Sequence, residues 1–158
     1  MIIIVTGVLG AGKTTVGSLL AHELGFQFYD ADSFHSPANI EKMRRGIPLE
    51  DADREPWLRA IHEAIVEWLA NGQNAVLACS ALKRSYREKL VVDADIRLVY
   101  LKAPYEYIWN RLKLRHGHFA GGNLLLSQFN DLEEPTDAIV VDATRPPQEV
   151  VDAIRREL

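Results

Sequence analysis

The sequence of 158 residues contains very little cysteine and no excess of positive charge. Its one cysteine, Cys79, excludes an internal disulfide and a zinc site built from cysteines. The apolar residues around Cys79 indicate a buried core side chain. A formal net charge of −4 gives no electrostatic support for a nucleic-acid partner. Any anionic ligand must therefore be held by local positive groups.

Long apolar runs are also missing. The first run, Ile2–Val5, is followed closely by Gly7 and is too short for a signal peptide or a membrane span. We therefore expect a cytoplasmic protein without a membrane partner. The length fits a single domain over residues 1–158, and the apolar share of 47% is enough for a full core.

Two signatures of nucleotide-dependent proteins are absent. The chain has no Asn-Lys-x-Asp for reading guanine, which excludes an ordinary GTPase. The apolar run Ala75–Cys79 does not end in the acid that motor and transporter ATPases place after a central strand. Asp142 does end an apolar run, but that run lies near the end of the chain. We predict an edge strand there and a structural or capping role for Asp142.

Short apolar runs rich in β-branched residues alternate with helical patterns along the chain. The predicted strands are Ile2–Thr6, Gln27–Tyr29, Ala75–Cys79, Ile96–Leu101 and Ala138–Val141. The predicted helices are Lys13–Leu24, Pro56–Ala70, Tyr105–Arg115 and Glu149–Leu158. This alternation predicts an α/β fold, with a five-stranded parallel sheet between two helical layers. Ligands of such sheets bind at the carboxyl ends of the strands.

The segment Gly7–Thr14 matches the phosphate-binding pattern G-x-x-x-x-G-K-T in full. It follows a predicted strand and opens a predicted helix, which is the context that the motif requires. Its amides and the helix N-terminus favour phosphate, Lys13 reaches the β- and γ-phosphates, and Thr14 offers a hydroxyl to Mg²⁺. The segment therefore predicts binding of ATP with Mg²⁺. The predicted nucleotide-binding residues of this loop are Gly7, Gly10, Ala11, Gly12, Lys13, Thr14 and Thr15.

Two acids follow the second predicted strand, at Asp30 and Asp32. Residues i and i+2 of an extended segment point the same way, so we expect both carboxylates to face the phosphate-binding loop. We assign Asp30 to the metal, together with Thr14. We assign Asp32 to the hydroxyl that attacks the phosphate, as a proton or hydrogen-bond acceptor. Capping of the next helix is the competing interpretation for either acid.

Three later blocks are more specific than the loop alone. They are Asp30-Ala31-Asp32-x-x-His35-x-x-x-Asn39-x-x-Lys42, Cys79-Ser80-Ala81-Leu82-Lys83-x-x-Tyr86-Arg87, and Arg111-x-x-x-Arg115-x-Gly117-His118-Phe119 followed by Leu125-x-Ser127-Gln128-Phe129. In this order they resemble the gluconokinase family, which is related in fold to shikimate and adenylate kinases. The resemblance implies a P-loop kinase fold with a mobile lid at about 115–127. It also implies transfer of the ATP γ-phosphate to the 6-hydroxyl of D-gluconate.

A sugar acid needs a cation and neutral hydrogen-bonding groups around it. His35, Asn39 and Lys42 have near-helical spacing and are predicted to share one face that binds this substrate. Lys83 and Arg87, four residues apart after the third strand, are predicted substrate contacts. Arg54 lies just before a predicted helix and serves either the substrate or the neighbouring acids.

The lid supplies the remaining candidates. Arg111 and Arg115 lie four residues apart on a helix that runs into a glycine-containing loop. Transferred phosphate needs such cations, so we assign Arg115 to the γ-phosphate as a catalytic residue and Arg111 to the adenosine end. His118 and Gln128 are predicted substrate contacts. Arg145, after the last strand, is predicted to stack on adenine.

Two other readings of these residues stay open. One is a shikimate- or nucleoside-type small-molecule kinase on the same fold. The other is a nucleotide-dependent switch without a small substrate, which would leave the acidic pair and the lid arginines without a role. The sequence shows no clean apolar seam, so it leaves open whether the chain forms a homodimer.

Overall fold

The computed structural model describes residues 1–116 and 122–158 and shows a five-stranded sheet in which all strands are parallel. The strands are β1 Ile2–Thr6, β2 Gln27–Asp30, β3 Ala75–Ala78, β4 Ile96–Lys102 and β5 Ile139–Asp142. Their order in the sheet is β2-β3-β1-β4-β5. The first strand therefore lies in the centre, with its carboxyl end between those of β3 and β4. This confirms the predicted sheet and the edge position of the last strand.

Helices cover both faces of this sheet. They are α1 Lys13–Leu24, α2 Pro37–Arg44, α3 Asp51–Ala70, α4 Arg84–Leu90, α5 Tyr105–His116, α6 Gly122–Asp131 and α7 Pro147–Glu157. A 3₁₀ turn over Ala31–Phe34 connects β2 to α2.

The alternation of side chains along β1 divides the core into two layers. Ile3 and Val5 pack with the buried residues of α1, α5, α6 and α7. Ile2 and Ile4 pack on the other face with those of α3 and α4. Successive residues of a strand point to opposite faces, so a run without polar residues fits a strand that is covered on both sides. The predicted three-layer α/β/α architecture is confirmed.

The start of α3 differs from the prediction, which placed the helix at Pro56–Ala70. The helix begins at Asp51, because Glu50 and Asp53 form a reciprocal capping box that fixes its first turn. Pro56 then lies inside the helix, where it removes only the hydrogen bond to the carbonyl of Ala52. The earlier start places Asp51, Asp53 and Arg54 in the first turn of α3.

Candidate active site

The P-loop, Gly7–Thr14, runs from the end of β1 into the first turn of α1. Gly10 and Gly12 have φ angles of 79° and 98°, in the left-handed region that favours glycine. A side chain at Gly10 would also meet Ile108 and Leu112 of α5 at 3.0 and 3.1 Å. Among the described residues no side chain caps α1, so its first amides offer an anion site at the carboxyl end of β1. We call the region at this end of the sheet the cleft.

Lys13 begins α1 and is half-buried. Its Nζ donates to the carbonyl oxygen of Val8 at 3.0 Å, so the side chain folds back over the loop. Burial lowers the pKa of Lys13, and the negative charges of Asp32 and Asp30 oppose that shift. The lysine therefore lies between the P-loop and both predicted acids.

Asp30 connects the P-loop to the 3₁₀ turn. Its Oδ2 accepts a hydrogen bond from the hydroxyl of Thr14 at 2.9 Å, and its Oδ1 accepts one from the amide of Asp32 at 3.0 Å. The expectation of an extended Asp30–Asp32 segment is wrong, because Asp32 lies within the turn that Asp30 caps. The same capping bond keeps the two acids together.

Asp32 lies near Lys13, with its side chain at the protein surface but partly screened from water. Burial raises the pKa of Asp32, and the charge of Asp30 raises it further, while Lys13 lowers it. A raised pKa makes a carboxylate a stronger proton acceptor. The geometry therefore places a candidate base next to the loop that favours phosphate.

His35 and Asn39 form a neutral pair behind these acids. The His35 ring is buried and stacks on Trp57, with centroids 4.3 Å apart. The Asn39 amide nitrogen lies 3.2 Å from His35 Nδ1 and donates to the carbonyl of Asp53 at 2.7 Å. Burial, helped by the charge of Arg54, lowers the pKa of His35 to about 4. The imidazole is therefore neutral at neutral pH, and donation by Asn39 to Nδ1 leaves Nε2 to carry the proton.

The cations of the cleft are paired with carboxylates. Lys42 contacts both oxygens of Asp53 at 3.1 Å. Lys83 donates to Asp51 at 2.8 Å, and Tyr86 donates its hydroxyl proton to the same carboxylate oxygen. These two hydrogen bonds hold the pKa of Asp51 below its usual range.

Arg54 is the most buried of these cations. Its Nη1 donates to the Tyr86 hydroxyl at 3.2 Å and to Asp131 at 3.1 Å, and its side chain is 8% exposed. The prediction left Arg54 between the substrate and the acids Asp51 and Asp53, but its ion-pair partner is Asp131 of α6. These contacts join helices α2, α3, α4 and α6 into one connected set. We call its five predicted members the polar cluster: His35, Asn39, Lys42, Arg54 and Lys83.

Arg87 differs from the prediction that it faces the ligand beside Lys83. Its Nη1 donates to the carbonyls of Ala81 and Leu82 at 3.1 and 2.9 Å, and its Nη2 donates to the carbonyl of Glu133 at 2.7 Å. Both terminal nitrogens are thus engaged by backbone. The contacts give this buried arginine a structural role in the turn between β3 and α4.

Tyr86 and Asp131 were not among the predicted site residues. Tyr86 lies three residues after Lys83, on the same helical face, so spacing could have found it. Asp131 shows no such signal, because its partner Arg54 lies 77 positions away in the sequence.

A cavity of about 380 Å³ lies next to the P-loop. Its walls come from the P-loop, α5 and the β5–α7 turn: Ala11, Gly12, Thr15, Val16, Tyr107, Arg111, Ala143, Thr144, Arg145, Pro146, Pro147 and Val150. Arg111 and Arg145 therefore lie together next to the loop, as the prediction for an adenosine end requires. Asp142 accepts from the amide and hydroxyl of Thr144, which is the structural role expected for it.

Arg115 and Gln128 flank the predicted lid. Arg115 is exposed on α5, one turn beyond Arg111, and its assignment to the γ-phosphate stays a prediction. Gln128 contacts the P-loop itself, since its Oε1 accepts a hydrogen bond from the amide of Leu9 at 2.6 Å. His118 lies outside the described residues, as does the middle of the predicted lid.

The oxygen groups near the P-loop suit magnesium. Within residues 1–116 and 122–158, no three His, Cys, Asp or Glu side chains are grouped to hold a metal. Mg²⁺ usually takes one or two carboxylates and fills its other positions with water and phosphate oxygens. The hydroxyl of Thr14 and the carboxylate of Asp30 fit that pattern. In the same described ranges, no helix has the length and apolar character needed to cross a membrane.

Comparison with known proteins agrees with this geometry. A family model described as shikimate kinase matches residues 9–158. The gluconokinase of Gluconobacter oxydans is 45% identical over 158 residues, covering 98% of this chain and 89% of its own. The thermoresistant gluconokinase of Escherichia coli is 41% identical and covers 95% of this chain and 89% of its own.

A solved structure extends the likeness to three dimensions. The gluconokinase of Sinorhizobium meliloti 1021 is 42% identical, with a TM-score of 0.85, and covers 96% of this chain and 87% of its own. The P-loop, the acidic pair and the polar cluster thus lie on a scaffold shared with these enzymes. The chain is a P-loop kinase that belongs to the gluconokinase family.

Proposed function

We propose that this protein transfers the γ-phosphate of ATP to the 6-hydroxyl of D-gluconate, which gives 6-phosphogluconate and ADP. The observation that carries the proposal is the position of Asp32. This acid has a raised pKa and lies near Lys13 of the P-loop, and its backbone carbonyl accepts a hydrogen bond from the amide of His35 of the polar cluster at 3.2 Å. A substrate hydroxyl placed there has a proton acceptor on one side and the transferred phosphate on the other.

In the proposed reaction the 6-hydroxyl oxygen forms a bond to the γ-phosphorus of ATP. The bond from that phosphorus to the β–γ bridging oxygen breaks, and ADP leaves with the electron pair. Asp32 accepts the hydroxyl proton. Lys13 turns its other donors to the phosphates, where its charge offsets the negative charge of the transferred group.

Thr14 and Asp30 are the residues that would hold magnesium. Their hydroxyl and carboxylate oxygens already lie 2.9 Å apart on the P-loop side of the cleft. Bound magnesium supplies charge neutralisation of the phosphate oxygens. The direct hydrogen bond also ties β2 to α1 and so keeps the acidic turn close to the loop.

The polar cluster suits a hydroxylated acid. Neutral His35 and Asn39 offer hydrogen bonds to hydroxyl groups without adding charge. Arg54 and Lys83 offer cations for the carboxylate of the substrate. That carboxylate would compete with Asp131 for Arg54 and with Asp51 for Lys83. Neutral groups beside cations are the combination that a polyhydroxy acid requires.

A shikimate-type acid is the second candidate, because the matching family model carries that description. The identity of 41–45% to gluconokinases over nearly the whole chain favours gluconate. Both acids present one carboxylate and several hydroxyls, so the fold alone does not separate them.

A coupled assay of ADP release tests the proposal. We expect gluconate to raise ADP release far above the rate with ATP alone, and to do so more than other aldonates, shikimate or nucleosides. Phosphorus–proton coupling in the product should place the phosphate on carbon 6. Release of ADP that no acid or polyol stimulates would exclude the kinase assignment. Selective stimulation by shikimate would identify shikimate, and not gluconate, as the substrate.

A further inference from the structure

Gln128 of α6 contacts the backbone of the P-loop. The Val8–Leu9 peptide group is held from both sides. On one side the carbonyl of Val8 accepts hydrogen bonds from the amide of Ala11 at 3.1 Å and from Lys13 Nζ at 3.0 Å. On the other side the amide of Leu9 donates to Gln128 Oε1 at 2.6 Å. Gln128 thus reaches this peptide group from 119 positions away in the sequence.

We propose that Gln128 is a positioning residue for the nucleotide: it fixes the orientation of the Val8–Leu9 peptide group when Lys13 moves to the phosphates. The Lys13 ammonium has three donors, and the pull of the β- and γ-phosphates on this group weakens its bond to the Val8 carbonyl. The Gln128 bond does not compete with phosphate and persists. It becomes the side-chain contact that holds this peptide group in the bound state.

The loop needs such a contact at this position. Gly10 follows Leu9 directly and has a φ of 79°, so the backbone next to this peptide group lacks the restraint of a side chain. Rotation of the peptide group would turn the Val8 carbonyl oxygen, a negative dipole, toward the phosphates. A hydrogen bond to the Leu9 amide opposes that rotation.

Gln128 is itself placed on a firmly packed support. On α6, Leu125 is fully buried, and Phe129 meets Tyr105 of α5 edge-to-face with centroids 5.3 Å apart. Asp131, at the end of the helix, pairs with Arg54. The position of the Gln128 side chain is therefore set by the core and not by the loop that it holds.

The chemistry of glutamine also fits. Its amide oxygen accepts the Leu9 proton without bringing charge to a site that binds a polyphosphate. A carboxylate of the same length would accept the same proton but repel the phosphates. A methionine of similar length would offer only a weak acceptor. These differences separate a hydrogen bond that positions the loop from a side chain that only fills space.

The test uses three variants of the full chain: Gln128→Met, Gln128→Glu, and Gln148→Met as a control on the exposed start of α7. Affinity for ADP and ATP is measured by calorimetry without any acid present. We expect Gln128→Met to weaken ATP binding about five- to tenfold, the loss of one well-aligned hydrogen bond. The KM for ATP should rise by the same factor, while the KM for the acid and the melting temperature change little.

The amide signal of Leu9 gives a readout that does not depend on activity. In ¹⁵N-leucine-labelled protein we expect its exchange with solvent to be slow in the wild type and in Gln128→Glu, and fast in Gln128→Met. Gln128→Glu should still lose ATP affinity, because of its charge. Unchanged Leu9 exchange in Gln128→Met, or unchanged ATP affinity, would overturn the inference. So would a rise in the KM for the acid alone, which indicates a direct substrate contact.

The inference rests on the ATP binding of the proposed function, but it does not depend on which acid is the substrate. A wild-type chain that binds no ATP would remove the proposed function. A wild-type chain that binds ATP, with the same affinity as Gln128→Met, would remove only the role of Gln128.

Discussion

The P-loop and the polar cluster recognise negative charge with different groups. The P-loop offers backbone amides, an uncapped helix N-terminus and Lys13, whose nearest hydrogen-bond partner is a carbonyl. The polar cluster offers side chains, and the cations Lys42, Arg54 and Lys83 are each paired with a carboxylate. An incoming phosphate therefore meets a lysine that is not held by a carboxylate, whereas an incoming carboxylate must compete with a carboxylate partner already in place. This difference should make nucleotide binding tolerant of changes in the polar cluster, and acid binding sensitive to them.

Replacement of Lys13 by alanine tests the P-loop side and has the largest expected effect. Lys13→Ala removes the cation that reaches the phosphates, so kcat should fall by about a thousandfold or more. The fold should persist, because the side chain makes only one hydrogen bond to the loop. Steady-state kinetics and circular dichroism check both points, with replacement of the exposed Lys89 of α4 by alanine as the control. A variant with near-normal kcat would remove Lys13 from the mechanism.

Replacement of Asp32 tests the boundary between the two regions. Asp32→Asn should lower kcat by about 10²–10⁴-fold, the usual contribution of a general base, with little change in ATP affinity. The pKa of Asp32 is raised in the folded state, so its charged form costs stability as pH rises through that pKa. Asp32→Asn should therefore unfold at a slightly higher temperature at neutral pH, even though it is less active. Unchanged kcat would show that another group accepts the proton.

Replacement of Arg54 tests the polar cluster. Arg54→Met leaves Asp131 without its partner, so the free energy of unfolding should fall by about 3 kcal/mol. The KM for the acid should rise, while ATP affinity stays within about twofold if the two regions differ as described. Urea unfolding and calorimetry measure both quantities. Arg59→Met, which removes an exposed i,i+4 pair on the same helix, should cost less than about 0.5 kcal/mol. Equal losses in the two variants would contradict the importance of the buried pair.

The pH dependence of stability tests the neutral members of the cluster and has the smallest expected effect. The pKa of His35 is about 4 in the folded chain and near 6.5 in the unfolded chain. The stability that the neutral His35 ring contributes is therefore complete when the pH is above the pKa of the unfolded chain. It is lost as the pH falls toward the pKa of the folded chain. Between pH 7 and pH 5 this loss amounts to about 2 kcal/mol of unfolding free energy. His35→Gln should show a correspondingly flatter dependence; an identical slope in both proteins would contradict a neutral, buried imidazole.

The same contrast explains what the sequence predicted well. The P-loop is a local pattern in which the strand, the glycines, the lysine and the start of the helix follow one another directly in the sequence, so its structure could be predicted. The parallel sheet followed from apolar runs such as Ile2–Thr6, because burial on both faces leaves no polar alternation. The start of α3 was missed because Pro56 looked like a first-turn residue while the stronger capping box at Glu50 and Asp53 went unused.

Side chains that meet across the chain were harder to assign. Arg87 has the spacing of a ligand contact, and no local signal shows that carbonyls at Ala81, Leu82 and Glu133 already engage it. Asp131 was missed, and Gln128 was assigned to the substrate. Their partners, Arg54 and Leu9, lie 77 and 119 positions away. Only the folded topology brings such pairs together, and a single sequence contains no record of it.

The helix α6 carries Gln128 and Asp131 within one turn of each other. One residue contacts the amide of Leu9 and the other contacts Arg54. A rigid displacement of this helix therefore changes both contacts together. If saturation with ATP changes the affinity for the acid by some factor through this helix, thermodynamic reciprocity requires the acid to change the affinity for ATP by the same factor.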